Sequence, residues 1–100
     1  MWERGPGARA VAKQLLDSGP SIGANAEEAQ EAQTKPDYCA KMAISRKESR
    51  ETRYWLRVAV ACGIVTAQET EWELREVNEL RAMIIAAIKT AQASSRRGDT

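Results

Sequence analysis

The chain has 100 residues, a formal net charge of +1, three Trp, two Tyr and no Phe. This length implies one small domain, and a net charge so close to zero gives no indication of a partner. The absence of His and of any closely spaced cysteine pair excludes standard zinc sites and His-based acid–base catalysis. We therefore predict no catalytic residue, no metal and no cofactor.

The sequence also bears on where the protein works. It contains no apolar run of about 18 residues, so no membrane span is predicted. Cys39 and Cys62 lie on one predicted helix and are separated by roughly 34 Å at 1.5 Å per residue, which excludes an intrachain disulfide. Free thiols fit a reducing compartment, and we expect a cytoplasmic protein.

The first predicted helix covers residues 7–32. One stripe recurs along it at intervals of four and three residues, as expected for a single helix face: Val11, Leu15, Ser18, Ile22 and Asn25. Gly19 and Pro20 interrupt this stripe, and a proline inside a helix removes one hydrogen bond and crowds the preceding turn at a cost of about 3 kcal/mol. We therefore expect a kink near Pro20, with two short helices as the alternative.

The second predicted helix covers residues 36–62, with Thr34 as its N-cap and Gly63 as a left-handed residue at its C-terminal end. Arginines on one face recur at intervals of four, three and four: Arg46, Arg50, Arg53 and Arg57. The predicted packing face lies roughly opposite. Its centre is Ile44, Glu48, Thr52, Trp55, Ala59 and Cys62, and it is flanked by Tyr38, Ser45, Ser49, Leu56 and Val58. The helix thus has a basic side and a packing side, and it shows no catalytic centre.

The third predicted helix covers residues 67–93. Thr66 and Glu69 have the spacing of a capping box, in which side chains and backbone N–H groups bond reciprocally at the start of a helix. The apolar stripe of this helix is Leu74, Val77, Leu80 or Arg81, Ile84 and Ile88. Residues 94–100 contain no apolar side chain and are predicted to form a disordered tail. The three elements predict an all-α fold with one helical domain over residues 1–93.

Two segments carry a resemblance to a known family. They are SGPSIGANAEEA, residues 18–29, and DYCAKMAISRKESRETRYWL, residues 37–56. With the preceding Gln14, Leu15 and Leu16, they resemble the bacterial four-helix-bundle proteins often described as 23S rRNA intervening-sequence proteins. The resemblance implies an antiparallel up-down bundle whose relatives assemble as ring-shaped homopentamers, and it implies no enzymatic activity.

The resemblance also bears on partners. Similar proteins include the accessory factor of diversity-generating retroelements, a basic pentamer that engages a reverse transcriptase and nucleic acid. Relatives usually carry a further helix before the block that begins here near Gly7, so the first helix of the bundle is expected to be missing, truncated or upstream of this start. Pro20 stands where relatives usually have a helix-compatible residue. We therefore expect a homo-oligomer, with a pentamer as the implied size.

The arginine stripe is the main indication of a partner within the sequence itself. Residues 37–57 hold six basic and three acidic side chains, a local charge of +3. Because clustered arginines suit phosphate backbones, we predict RNA or DNA binding with little sequence specificity by Arg46, Lys47, Arg50, Arg53 and Arg57. The alternatives are a solvated helix face, or salt bridges to the Glu-rich last helix of another subunit or to a partner protein.

A second group of polar residues is predicted to be structural. Glu48 and Glu51 share one side of the helix, but nothing nearby supplies a metal partner or a nucleophile, which disfavours a paired-carboxylate active site. Glu48 is expected to join an ion pair or hydrogen-bond network instead, because an unpaired buried charge is costly. Its expected partners are Lys41, Lys13, Arg9 or Asn25. The predicted polar core at this close helix crossing is Ser21, Asn25, Lys41, Glu48 and Glu51.

Overall fold

The computed structural model describes residues 4–96, with side chains described through residue 94. Three α-helices follow one another along the chain: α1 is Pro6–Gln30, α2 is Lys35–Ala61 and α3 is Glu71–Arg96. A single 3₁₀ turn, Gln68–Thr70, precedes α3. Residues 4–96 contain no strand, so the all-α prediction is confirmed for the part of the chain described.

The two ends of α2 form through side-chain and backbone contacts that the sequence predicted. Thr34 Oγ1 accepts a hydrogen bond from the Asp37 N–H at 3.2 Å, which satisfies one of the free donors of the first turn. Gly63 has φ 72°, a left-handed conformation in which glycine carries no Cβ penalty. The Ile64 N–H then donates to the Ala59 carbonyl at 2.9 Å, as in a Schellman motif. Both predicted caps are therefore confirmed.

The start of α3 is organised by the predicted capping box. The Thr66 N–H donates to Glu69 Oε1 at 2.8 Å, and the Glu69 N–H donates to Thr66 Oγ1 at 3.1 Å. This reciprocal pair opens the 3₁₀ turn that leads into α3. At its other end α3 continues to Arg96, so residues 94–96 of the predicted tail are helical, and the rest of that tail lies outside the described residues.

Helix α1 is continuous although Pro20 lies inside it. Proline has no N–H, so the Leu16 carbonyl loses its helical donor. Pro20 and Leu16 are both exposed, and this carbonyl can bond to water instead. The alternative of two short helices is therefore wrong, and the kink at Pro20 stays a prediction.

The helices are antiparallel, with α2 in the middle. Arg4, just before α1, donates to the carbonyl of Ile64, just after α2, at 2.6 Å. Lys35 at the start of α2 likewise bonds to Ser94 near the end of α3. Helix α2 packs more extensively on α1 than on α3. The buried core draws on all three helices: Ile22, Ala29, Met42, Leu56, Val77, Ile84 and Ile88.

The buried face of α2 agrees in part with the predicted packing face: Ala59 of its centre and Ser45, Ser49 and Leu56 of its flank are buried. Its buried residues are Met42, Ser45, Ser49, Leu56 and Ala59. Of the predicted centre, Ile44 is 40% exposed, Cys62 is exposed, and Trp55 is only half-buried. The physical reason is that α2 has a neighbour on each side, so its buried arc is centred between α1 and α3. The sequence pattern alone placed that arc towards one neighbour.

Candidate nucleic-acid interface

The five residues of the predicted polar core do not form one buried network. Ser21 Oγ donates to the Asp17 carbonyl and Asn25 Nδ2 donates to the Ser21 carbonyl, each at 2.9 Å and within α1. Both side chains therefore bond to their own helix. Both belong to the part of α1 that resembles the family.

The charged members of that predicted core lie nearer to solvent. Lys41 pairs with Glu28 at 2.8 Å between side chains that are both about half exposed. The Glu48 side chain is 17% exposed, and a carboxylate oxygen lies 3.9 Å from the Lys47 ammonium. Glu51 is half-buried. The expected ion pair of Glu48 with Lys41 is not formed, because Lys41 reaches Glu28 at the α1–α2 edge.

A different set of polar residues is removed from solvent on α1 and α2: the buried Ser18, Ser45 and Ser49 and the half-buried Thr52, here called the polar seam. Ser45 and Ser49 are both 0% exposed and Ser18 is 3% exposed. Ser45 Oγ donates to the Ile22 carbonyl at 2.7 Å, and Thr52 Oγ1 bonds to Ser18 Oγ at 2.9 Å. The sequence indicates this seam through the hydroxyl residues of α2, Ser45, Ser49 and Thr52, which recur at intervals of four and three.

The predicted nucleic-acid-binding residues lie together along one side of α2; we call Arg46, Lys47, Arg50, Arg53 and Arg57 the arginine face. All are exposed except Arg53, which is half-buried and has Nη1 3.5 Å from Asn78 Oδ1 of α3. Within the described part of the chain, none of the four arginines forms an ion pair with a carboxylate. The positive charge of this face is therefore available to a partner.

Helix α3 adds a fifth arginine that sequence reasoning did not assign to the site. A notch of about 180 Å³ between α2 and α3 is lined by Ala43, Arg46, Lys47, Arg50 and Arg81, here called the arginine notch. The first four residues recur on α2 at intervals of three, one and three, which places them on one side of that helix. The sequence contains one indication of this role: Arg81 is an arginine on the apolar stripe of α3, between Val77 and Ile84.

Arg81 has the least favourable surroundings of this group. Its Nε is buried and has no hydrogen-bond partner among the described residues. Burial of the guanidinium and, after it, the positive charges of Arg53, Arg46 and Arg50 lower the pKa of Arg81 below its ordinary value. An arginine remains protonated at neutral pH even so. The notch thus holds a concentration of positive charge that the described residues do not neutralise.

Acidic residues collect at the other end of the α1–α2 pair. Glu27, Glu28 and Glu31 of α1 and Asp37 of α2 line shallow depressions there, and Lys41 is the basic residue beside them. No group of three or more metal-ligating side chains within the described residues has the geometry to hold a metal ion. The described surface is therefore divided into a basic side and an acidic end, although the net charge is +1.

These features define a class of protein: an antiparallel helical bundle whose central helix presents a basic face. Among residues 4–96, no helix combines the length and apolar character that crossing a membrane requires. The family model for the 23S rRNA-intervening sequence protein matches residues 7–86, and the chain belongs to this family. The resemblance seen in residues 18–29 and 37–56 is therefore confirmed.

A solved structure shares the fold. It is a crystal structure of a protein of unknown function from the S23 ribosomal protein family of Bacteroides thetaiotaomicron. The two chains are 38% identical, the match covers 79% of this chain and 73% of that one, and the TM-score is 0.77. A comparison with curated proteins found no match.

Proposed function

We propose that this protein is a non-enzymatic, self-associating cytoplasmic bundle that binds RNA or DNA with little sequence specificity through its arginine face. The observation that carries the proposal is the set of four arginines on one side of α2 without carboxylate partners among the described residues. Arginine is over-represented at phosphate contacts because its planar fork binds phosphate oxygens bidentately. The family description, which refers to 23S rRNA, makes RNA the first ligand to test.

Low sequence specificity follows from the kind of contact. Phosphate contacts fix position and orientation, whereas base edges carry the sequence information. A row of arginines along a helix is suited to follow a charged backbone. We therefore expect affinity to depend strongly on salt, because each phosphate that is neutralised releases counterions.

Self-association is proposed from the apolar residues that three helices leave uncovered. Trp72 and Met83 of α3 are 63% and 67% exposed, and Leu80 of the same helix is 39% exposed. Trp72 and Met83 are three turns apart and so share one side of α3. Exposed apolar surface of this kind is typical of protein–protein contacts. A ring-shaped homopentamer is the assembly implied by the resemblance.

The test combines binding with native mass. Fluorescence anisotropy with single-stranded RNA and DNA of two unrelated sequences, over a range of salt concentrations, would compare the wild type with a variant carrying Gln at Arg46, Arg50, Arg53 and Arg57. Loss of four phosphate contacts lowers the salt slope by up to about 2.8. A matched control carries Gln at the exposed Arg9, Lys13, Arg75 and Lys89 and has the same net charge. Equal loss of affinity in both variants would contradict the proposal.

The alternative is a structural or protein-interaction module in which the arginine face contacts another subunit or a partner protein. The acidic end formed by Glu27, Glu28, Glu31 and Asp37 favours this alternative, because it supplies a complementary surface on another copy. Light scattering on the same variants separates the two functions. A fall in native mass on loss of the four arginines supports the module, whereas loss of RNA binding at unchanged mass supports nucleic-acid binding.

A further inference from the structure

The arginine notch brings four positively charged side chains together, and their repulsion lowers the stability of the fold. Arg46, Lys47 and Arg50 on α2 face the same opening as Arg81 on α3. No carboxylate among the described residues pairs with any of the three arginines. Lys47 alone has an acidic neighbour, Glu48, at 3.9 Å. Like charges held this close repel one another, so the site is energetically unsatisfied without a counter-charge.

One buried atom of Arg81 adds a second cost, which does not depend on the repulsion between like charges. A buried N–H without an acceptor costs free energy comparable to a lost hydrogen bond, and a charged one costs more. The Arg81 Nε is such an atom. The pKa of Arg81 is lowered, which agrees with an unfavourable environment for its charge, because burial and three neighbouring arginines all disfavour its charged form. A negatively charged group that entered the notch would offset the repulsion between these positive charges and would favour the charged form of Arg81.

We infer that the arginine notch is a binding site for one phosphate group, with Arg81 as a phosphate-binding residue beside Arg46, Lys47 and Arg50. The inference rests on the proposed function for the source of that phosphate, a nucleic-acid backbone. Arginine forks on two helices approach the opening from two sides, and the lysine adds a point charge.

The position of the notch favours a polymer as the source of the phosphate. Arg53 and Arg57 continue the arginine face beyond it, and Arg57 lies seven residues along α2 from Arg50, which is about 10 Å at 1.5 Å per residue. A nucleic-acid strand that places one phosphate in the notch can therefore bring further phosphates to the same face. The notch fixes the register of the strand on the protein without reading its bases.

One consequence is measurable without nucleic acid. A ligand that binds only the folded state raises the melting temperature. Inorganic phosphate should therefore raise the melting temperature above that in chloride at equal ionic strength. Arg81→Met retains the aliphatic packing of the side chain but removes a partly desolvated charge that neighbouring arginines repel, so its melting temperature in chloride should equal or exceed that of the wild type. Phosphate also stabilises folded proteins through its exclusion from their surface, so the phosphate increment of the variant should be smaller than that of the wild type by the part due to the site.

The experiment compares the wild type with Arg81→Met, Arg81→Lys and the matched control Arg75→Met, which removes an exposed arginine of the same helix. Thermal melting is measured in phosphate and in chloride, and RNA affinity is measured by anisotropy. Arg81→Met should weaken RNA binding about tenfold or more, the loss expected for a hydrogen bond to a charged group. Arg81→Lys, which keeps the charge but not the fork, should fall between the wild type and Arg81→Met. Arg75→Met should behave as the wild type in both measurements.

The outcomes separate the site from the proposed function. If the wild type binds RNA and Arg81→Met binds it as well as Arg75→Met does, the proposed phosphate site in the notch is wrong, while nucleic-acid binding by the arginine face is still supported. If phosphate stabilises the wild type more than Arg81→Met and no RNA binds, the site takes free phosphate and the proposed function fails. A change of native mass in Arg81→Met would make the notch a protein interface and overturn the inference. Should Arg81→Met not fold, an unchanged phosphate increment in Arg81→Lys would overturn it as well.

Discussion

Helix α2 has two neighbours, and its contacts with them differ in chemistry. On the α1 side, small residues meet and their hydroxyl groups are satisfied, with Ser45 bonded to the Ile22 carbonyl and Thr52 to Ser18. On the α3 side, bulkier apolar residues such as Ile84 pack, but polar pairing is sparse. Arg53 has only a long contact to Asn78, and the Arg81 Nε has no partner among the described residues.

The difference indicates which polar groups of α2 and its neighbours serve the fold and which serve a partner. A buried polar group that is fully hydrogen-bonded contributes to a unique packing arrangement, as in the polar seam. Charged groups that the chain leaves unpaired cost stability, and a partner is the direct way to offset that cost. The polar groups on the α1 side of α2 are therefore structural, and the unpaired charges of the arginine notch on the α3 side are where we expect recognition.

The largest effect that tests this comparison is expected for Ile84→Ala on the α3 side. Ile84 is 5% exposed within the core, and truncation of such a side chain costs about 2–5 kcal/mol. Urea unfolding of the two proteins measures the loss. Met83→Ala on the same helix is the control, because Met83 is 67% exposed and surface changes stay within about 0.5 kcal/mol. An equal loss in the two variants would mean that α3 presents a different face to α2.

The next largest effect is expected in the polar seam, where space rather than apolar area limits the packing. Ser49 is fully buried, and Ser49→Leu should cost about 1–3 kcal/mol through overpacking. Ala40→Leu places the same side chain at an exposed position of α2 and serves as the control. Denaturant unfolding again measures both. A neutral or stabilising Ser49→Leu would show that the packing around Ser49 has room for a larger side chain.

A smaller effect on the free energy of unfolding is expected when serines of the observed polar seam and of the predicted polar core are replaced by alanine. Ser45→Ala removes the donor to the Ile22 carbonyl and should cost about 1 kcal/mol. Ser21→Ala removes a bond from Ser21 to its own helix and should be close to neutral, because alanine is the better helix former. The two free energies of unfolding, measured side by side, decide which set is structural. If Ser21→Ala were the more harmful change, the sequence prediction would be preferred.

The parts of the fold that depend on local chemistry could be predicted from the sequence. Thr34, Gly63 and the Thr66–Glu69 box act within a few residues of chain, so their roles follow from residue type and spacing. The arginine face could be predicted for the same reason, because four and three residue intervals fix one side of a helix. Its function as a nucleic-acid surface stays a prediction.

The parts that depend on two helices at once could not be predicted. The buried arc of α2 is set by the positions of both neighbours, and this is why Ile44 is exposed while Ser49 is buried. Arg81 was only one of two choices on the stripe of α3, since periodicity did not separate it from Leu80. Its proximity to Arg46 and Arg50 arises from helix packing, which the spacing of either helix alone does not contain.

The smallest predicted effect concerns one end of the bundle, where the segment before α1 contacts the turn that opens α3. Arg4, ahead of α1, pairs at 3.3 Å with Glu69 of the capping box that opens α3. The backbone hydrogen bond from Thr66, and then the hydrogen bond from Arg4, lower the pKa of Glu69 from its usual value of 4.5.

A carboxyl group with a lowered folded-state pKa contributes stability above its unfolded pKa and loses that contribution as the pH falls through the folded value. Acidification below 4.5 should therefore destabilise the wild type more than Glu69→Gln, which keeps a capping-box side chain but cannot be protonated. Melting temperatures between about pH 6 and about pH 3 measure the difference, which should be slight because the ion pair is exposed to solvent. Glu71→Gln, at an exposed carboxylate in the first turn of α3, is the control and should keep the acid sensitivity of the wild type. Parallel curves for the wild type and Glu69→Gln would show that the ionised carboxylate contributes nothing to the junction, and the two sides of α2 would then be stabilised independently.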